Sequence, residues 1–113
     1  MKYLSILMLI VLIVGCSSPI ESFEGGIEEV KSDMVQVECS DAVNRDKEGD
    51  IPTIAYICNV DVTEDTIITD KNEKQINIDE LRKGRTVKVI FNEKVNISES
   101  NRDVTAAEIN VLN

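Results

Sequence analysis

Apolar and polar residues alternate along most of the chain beyond residue 24, and this period of two limits the fold more than any other feature of the sequence. In residues 53–62, every second side chain would lie on one face of a strand. Those side chains are Ile54, Tyr56, Cys58, Val60 and Val62. Residues 34–39 and 105–111 alternate in the same way. The pattern predicts a domain of short, half-buried strands separated by polar turns.

Helical signals are scarce by comparison. Residues 79–83 (DELRK) predict one helical turn, capped by Asp79 and closed by Gly84 in the left-handed conformation. The remaining segments form five to six strands between residues 24 and 113. This balance predicts an all-β domain, a small antiparallel barrel or a sandwich. A barrel has no open sheet edge, whereas a flat sheet of this size would have two.

The first 16 residues contain an export and anchoring signal. Lys2 precedes an apolar run over residues 4–14 (LSILMLIVLIV), which suits a signal peptide and is shorter than the roughly 20 residues of a membrane span. Ile13-Val14-Gly15-Cys16 resembles the bacterial lipobox. The resemblance implies cleavage before Cys16 and a diacylglycerol on its sulfur. A plain signal peptide and an uncleaved anchor are the alternatives.

These signals divide the chain into three parts. They are a lipoprotein signal peptide over residues 1–15, a lipidated tether over 16–23 that Pro19 keeps extended, and a β-barrel domain over 24–113. Two acyl chains anchor a protein stably, so we expect it on the extracytoplasmic side of a cell membrane. Isoleucine outnumbers leucine 15 to 6, a bias typical of AT-rich genomes that favours a Gram-positive source. In a Gram-negative cell, Ser17 would resemble an outer-membrane sorting signal.

The barrel segment also carries a family resemblance. Residues 76–89 (INIDELRKGRTVKV) are similar to the element of OB-like barrels in which a glycine leads from a helical turn into a strand. More narrowly, residues 24–112 resemble the YobA-like family of small Firmicute lipoproteins, a domain of unknown function. The matching motifs are Gly26-Ile27, Asp79-Glu80-Leu81 with Gly84, and Glu99-Ser100 followed by Thr105-Ala106-Ala107-Glu108-Ile109. The chain departs from the family at Ile90, where the family tends to have an aromatic residue, and at Asn101-Arg102, where it tends to have Tyr-Pro. The resemblance implies an OB-like barrel and lends no activity.

Charge and composition exclude several classes of function. The net charge is -9, and loss of Lys2 with the leader takes the mature chain to -10. Such a charge repels nucleic acid and disfavours anionic lipid headgroups, while it suits cations, a basic protein partner or the cell wall. The chain has no histidine, the commonest general base and zinc ligand. No nucleophile motif is present either, so we expect no catalysis and no cofactor beyond the covalent lipid.

Cys39 and Cys58 are candidates for a disulfide. If residues 34–39 and 53–62 pair as a hairpin with their aliphatic faces inward, Val35 meets Val62 and Cys39 meets Cys58. Directly opposed residues of this kind lie close to disulfide range, and an exported domain is in an oxidising compartment. Two buried free thiols are the alternative.

The segment between these strands resembles part of a calcium-binding loop. Its oxygen-bearing residues alternate, and a glycine stands at the sixth position, as in an EF-hand. The candidate ligands are Asn44, Asp46, Glu48 and Asp50. Ala55 occupies the twelfth position, where a bidentate glutamate belongs, so any calcium site here would be weak. An acidic, solvated loop is the alternative.

Residues 92–103 form the longest stretch without an apolar period, next to the last strand. In OB-like barrels, loops in this position frame the binding face. The candidate binding residues are Glu93, Glu99, Ser100, Asn101, Arg102 and Asp103. A solvated loop is the alternative. Only four aromatic residues occur in the whole chain, too few for the stacking platform of a single-strand nucleic-acid site.

Together these features predict a lipid-anchored binding or accessory module at the bacterial cell surface. Its partners would be the membrane, through the lipid, and a protein of the cell envelope. A small-ligand or calcium-binding lipoprotein and a structural envelope component are the competing interpretations.

Overall fold

A computed structural model describes residues 18–47, 49 and 54–113. These residues form seven strands and two short helical segments. The strands are β1 (Ile20–Val30), β2 (Met34–Glu38), β3 (Ile57–Asp61), β4 (Ile67–Thr69), β5 (Gln75–Ile76), β6 (Thr86–Val95) and β7 (Asp103–Val111). The helical segments are α1 (Ser40–Val43) and a 3₁₀ turn (Ile78–Glu80). The predicted leader, with Cys16, lies outside the described residues, as do Glu48 and Asp50.

Five of the strands close into a small OB-like barrel, which confirms the predicted fold class. The order is β3-β2-β1-β6-β7, and β7 returns to pair with β3. Four of these pairings are antiparallel, whereas β3 and β7 run parallel. A ring with an odd number of strands cannot alternate direction all the way round, so a five-stranded barrel needs one parallel contact. β4 and β5 extend the sheet beyond the second half of β7.

Strand β1 begins earlier than the sequence predicts. Ile20 already pairs with Val95, and Phe23 is 7% exposed and packs 5.8 Å from the ring centre of Phe91. Residues 20–23 therefore belong to the barrel and not to a tether. A register shift between Ile20 and Ser22 explains the difference. Because the bulge breaks the period of two, these residues show no strand pattern in the sequence.

The β2–β3 hairpin has a different register from the predicted one. Val35 pairs with Val60, and Val37 with Cys58, two residues away from the expected partners. A two-residue slip keeps every inward side chain inward, so the alternation could not distinguish the two registers. Cys39 follows the end of β2, with its Cα 5.8 Å from that of Cys58, and the structure joins the two in a disulfide. Both cysteines are buried in the barrel core.

The turn before β6 follows the sequence closely but is shorter than predicted. The 3₁₀ turn covers Ile78–Glu80, and the N–H of Asn77 donates to Glu80 Oε2 over 2.9 Å, so Asn77 rather than Asp79 occupies the cap position. Leu81 then enters the core. Gly84 has a φ of 91°, the left-handed conformation that the sequence predicts. The short helix α1 has no counterpart among the predicted elements.

The two ends of the barrel carry different structures. One end is formed by α1, by the β6–β7 connection and by the start of β1 near Ile20; we call it the α1 end. The β4–β5 turn (residues 70–74) lies at the other end, because Thr69 pairs with Asn110 near the end of β7. The 3₁₀ turn lies at the same end, because it precedes Thr86, the first residue of β6, which pairs with Gly26. The barrel interior between them is packed with aliphatic side chains, among them Val35, Val87 and Ile109.

Gly25 provides a test of this packing. A Cβ at residue 25 would overlap the backbone carbonyl oxygen of Glu38, which cannot rotate away. We expect Gly25→Ala to lower the free energy of unfolding by about 1–3 kcal/mol or more, the usual cost of overpacking. Gly26→Ala is the matched control, because its Cβ would meet nothing within 4 Å. Urea denaturation of both variants measures the difference, and equal stabilities would contradict the close approach of β1 to β2.

Candidate functional site

A row of hydrogen-bonded polar side chains crosses the outer face of the barrel at β2, β3 and β7. On β2 and β3, Val35, Val37, Cys58 and Val60 point into the core, so the residues between them face outward. Gln36 Nε2 donates to Asn59 Oδ1 over 3.1 Å. Asn59 Nδ2 in turn donates to Asp103 Oδ1 over 2.8 Å. The parallel pairing of β3 with β7 brings Asp103 beside Asn59.

The connection between β6 and β7 borders this row. It is shorter than the predicted 92–103 loop, because β6 continues to Val95. Ile97 is 1% exposed and fixes the connection to the core. Ser98 and Asn101 exchange two backbone hydrogen bonds of 3.1 Å, which fold residues 98–101 into a tight turn.

Strands β2, β3 and β7 and this turn border an open groove of about 320 Å³. We call it the β2–β3 groove. It is lined by Gln36, Ile57, Asn59, Glu99, Ser100, Arg102 and Asp103. Four of the six predicted loop residues therefore meet here with three residues that the sequence does not predict, Gln36, Ile57 and Asn59. These three residues occupy ordinary outward positions of β2 and β3, and only the closure of the barrel brings them to the loop.

Two predicted residues lie elsewhere. Glu93 is part of β6 and lines a separate surface depression with Glu21 and Lys94. The extension of β6 past Phe91 removes it from the connection. Asn101 directs its side chain back into the turn, where Nδ2 donates to the carbonyl of Asn96 over 2.9 Å. Asn101 thus stabilises the turn and does not line the β2–β3 groove.

Arg102 fixes the rim of the groove. Its Nε donates to the carbonyl of Glu99 and its Nη1 to the carbonyl of Ile57, each over 3.1 Å. Its Cζ lies 5.6 Å from the ring centre of Tyr56, and Lys47 Nζ lies 5.8 Å from the same centre. Two cations at this distance make favourable contacts with the aromatic ring. Tyr56 is thereby held beside the groove.

Lys47 and Glu99 form an ion pair on the same rim. Lys47 Nζ lies 2.7 Å from Glu99 Oε1. The hydrogen bond from the Lys47 ammonium lowers the pKa of the Glu99 carboxyl, and the same contact raises the pKa of Lys47. Both groups are exposed, so solvent weakens the attraction. The pair therefore favours the charged form of Glu99 at the edge of the groove.

The predicted calcium loop is described only in part. Asn44 is 8% exposed, and its Oδ1 receives no hydrogen bond from the described residues. Asp46 is exposed, with Oδ2 3.9 Å from Arg45 Nε. Within residues 18–47, 49 and 54–113, no three histidine, cysteine, aspartate or glutamate side chains converge as metal ligands. The other two candidate ligands lie outside these residues, so calcium binding stays a prediction.

The β2–β3 groove offers several hydrogen-bond donors and acceptors within one small concavity. Gln36 and Asn59 supply amide groups, Asp103 and Glu99 supply carboxylates, and Ser100 supplies a hydroxyl. Both cations at the rim are engaged, Arg102 with backbone carbonyls and Lys47 with Glu99. The groups left to a ligand are therefore mainly acceptors and negative charge. This arrangement suits recognition of a polar, cationic segment.

The Lys47–Glu99 pair gives a pH-dependent prediction. Because the pKa of Glu99 is lowered in the folded state, the pair stabilises the protein above the pKa of an unfolded glutamate and loses this effect as pH falls through the folded pKa. We expect Lys47→Met to raise the Glu99 pKa toward its ordinary value, as followed by carbon NMR of the carboxyl group. Lys71→Met, in the β4–β5 turn, should leave it unchanged. An unchanged Glu99 pKa in Lys47→Met would contradict the ion pair.

Comparisons with protein-family models, with curated proteins and with solved structures gave no match. Among the residues that the structure describes, no helix is long and apolar enough to cross a membrane.

Proposed function

We propose that this chain is a lipid-anchored, extracytoplasmic binding module that recognises a protein of the cell envelope through its β2–β3 groove. The main support for the proposal is the hydrogen-bonded row of Gln36, Asn59 and Asp103, which lies beside the turn at residues 98–101. OB-like barrels bind their ligands on this face, between the second and third strands and the adjoining loops. The role is binding and not catalysis.

The charge of the groove supports a basic partner. Glu99 and Asp103 line it, and Glu38 lies next to it on the outer face of β2, opposite Ile57. The net charge of the whole chain is -9, which adds a long-range attraction for cationic groups. The same charge disfavours nucleic acid, the other common ligand of OB-like barrels. A polar protein segment with lysine or arginine side chains matches the polar, acidic lining of the groove and the negative charge of the chain.

The anchoring part of the proposal comes from the sequence. The lipobox-like Ile13-Val14-Gly15-Cys16 and the resemblance to YobA-like lipoproteins support lipidation of Cys16. An attached lipid restricts the module to the membrane surface, where a partner of modest affinity is held at high local concentration. An accessory role in an envelope complex follows.

Photocrosslinking in the bacterium tests the partner site. A photoreactive phenylalanine at Ser100, on the rim of the groove, should crosslink to a protein, and the same group at Asn72, at the other end of the barrel, should not. Asp103→Asn keeps the acceptor for Asn59 but removes a charge, so we expect about tenfold less crosslinking, equivalent to about 1.4 kcal/mol. Asp79→Asn, remote from the groove, is the matched control.

Two outcomes would count against this function. Equal crosslinking from Ser100 and Asn72 would show that the contact is not specific to the groove. No protein crosslinked from Ser100 would instead favour a structural envelope component.

Calcium binding is the second candidate function. It is favoured by the buried Oδ1 of Asn44, which no donor among the described residues satisfies and which stands at the first position of the predicted loop. Titration calorimetry with calcium chloride should show heat release that Asp46→Asn with Asp50→Asn abolishes, while Asp61→Asn with Asp65→Asn does not. No heat and no rise in melting temperature would exclude this function.

A further inference from the structure

The first described residues of the chain are tied to the α1 end of the barrel by one side chain. Arg45 Nη2 donates to the carbonyl of Ser18 and to Asn96 Oδ1, each over 2.8 Å. Its Nη1 donates to the carbonyl of Ile97 over 2.7 Å and to the carbonyl of Ala42. The guanidinium thus joins the entry of the chain to α1 and to the β6–β7 connection.

The position of Ser18 limits where the lipid can be. Ser18 is two residues after Cys16, and two residues of fully extended chain span at most about 7 Å. From Ile20 onward the chain is part of β1. A lipid on Cys16 would therefore be attached almost directly to the α1 end, with no room for a tether of eight residues.

We infer that the anchor holds the barrel against the bilayer with its α1 end facing the lipid, so that the β2–β3 groove opens at the membrane surface. This rests on the lipidation of Cys16 that the proposed function includes. The surface facing the headgroups then includes Ser18 and Arg45, and the turn at residues 98–101 lies at the border between this surface and the groove.

The contacts of Arg45 and Lys47 place the rim of the groove at the α1 end, because Arg45 bonds the carbonyl of Ile97 in the β6–β7 connection. Lys47 is two residues beyond Arg45 and bonds Glu99, which lines the groove. Asp103 and Ile57 stand at the ends of β7 and β3 that face the same direction. The β4–β5 turn is at the far end, away from the bilayer. The partner is thus a basic segment of a protein that lies within reach of the headgroups.

Headgroup attraction cannot produce this orientation. The mature chain carries a charge of -10 once Lys2 is removed, which anionic lipid repels. Close approach is imposed by the short covalent connection and by the hydrogen bonds of Arg45. The orientation should therefore depend on the anchor and on Arg45, and not on the lipid charge.

Tryptophan fluorescence can test the orientation, because the chain contains no tryptophan. The full-length lipoprotein with Ser100→Trp or Asn72→Trp is reconstituted into phosphatidylcholine vesicles that carry a nitroxide on part of the headgroups. We expect several-fold stronger quenching of Ser100→Trp than of Asn72→Trp. Asp46→Trp, also at the α1 end, provides a second reporter if Ser100→Trp does not fold. Equal quenching at both ends, or stronger quenching of Asn72→Trp, would overturn the orientation.

Two controls separate this inference from the anchoring that it requires. Flotation of the vesicles shows whether the protein is anchored: failure to float would overturn the lipid anchor and the orientation together, whereas flotation with equal quenching would overturn the orientation alone. Arg45→Met should reduce the difference between the two reporters, because it frees the carbonyl of Ser18. Arg85→Met, at the far end of the barrel, should preserve the difference.

Discussion

The parallel contact between β3 and β7 closes the barrel, and the candidate site depends on it. Asn59, Val60 and Asp61 pair there with residues 103–105, and the N–H of Asn59 donates to the carbonyl of Arg102 over 2.8 Å. Closure satisfies two strand edges that would otherwise be open to other chains. It also places the start of β7 beside β3, and this neighbourhood creates the β2–β3 groove. Without the closing contact, the polar row would end at Asn59.

Two further constraints fix the segment that connects β2 to β3 at the α1 end. The disulfide joins Cys39 to Cys58, and the N–H of Cys39 donates to the carbonyl of Tyr56 over 2.9 Å. Arg45 then bonds both α1 and the β6–β7 connection. Lys47 and Tyr56, which belong to this connecting segment, are therefore held at the rim of the groove. The disulfide has a structural role here, since both sulfurs are in the core.

The sequence predicts the barrel better than it predicts the site. The left-handed Gly84 is a local signal that the structure confirms, and the period of two holds along β2 and β3. In β7 the buried side chains are Val104, Ala106 and Ile109, because a register shift against β6 breaks the alternation predicted for residues 105–111. The sequence does not predict the start of β1, because a bulge between Ile20 and Ser22 breaks the alternation. The predicted hairpin register is wrong because a slip of two residues preserves the inward faces. Gln36 and Asn59 carry no local signal at all, since barrel closure alone makes them neighbours of the loop. The sequence places Glu93 in the loop, because the polar residues 92–94 give no sign that β6 continues to Val95.

If the barrel is anchored as we propose, the α1 end and the β2–β3 groove meet both the bilayer and a partner in the cell. Amide hydrogen exchange of the full-length chain in native membrane vesicles, compared with the same protein extracted in detergent, measures this directly. We expect slower exchange in the vesicles at residues 96–103 and 54–59, with no change at 70–74. Identical exchange at residues 96–103 in both preparations, or protection confined to residues 70–74, would contradict the proposed orientation and partner site.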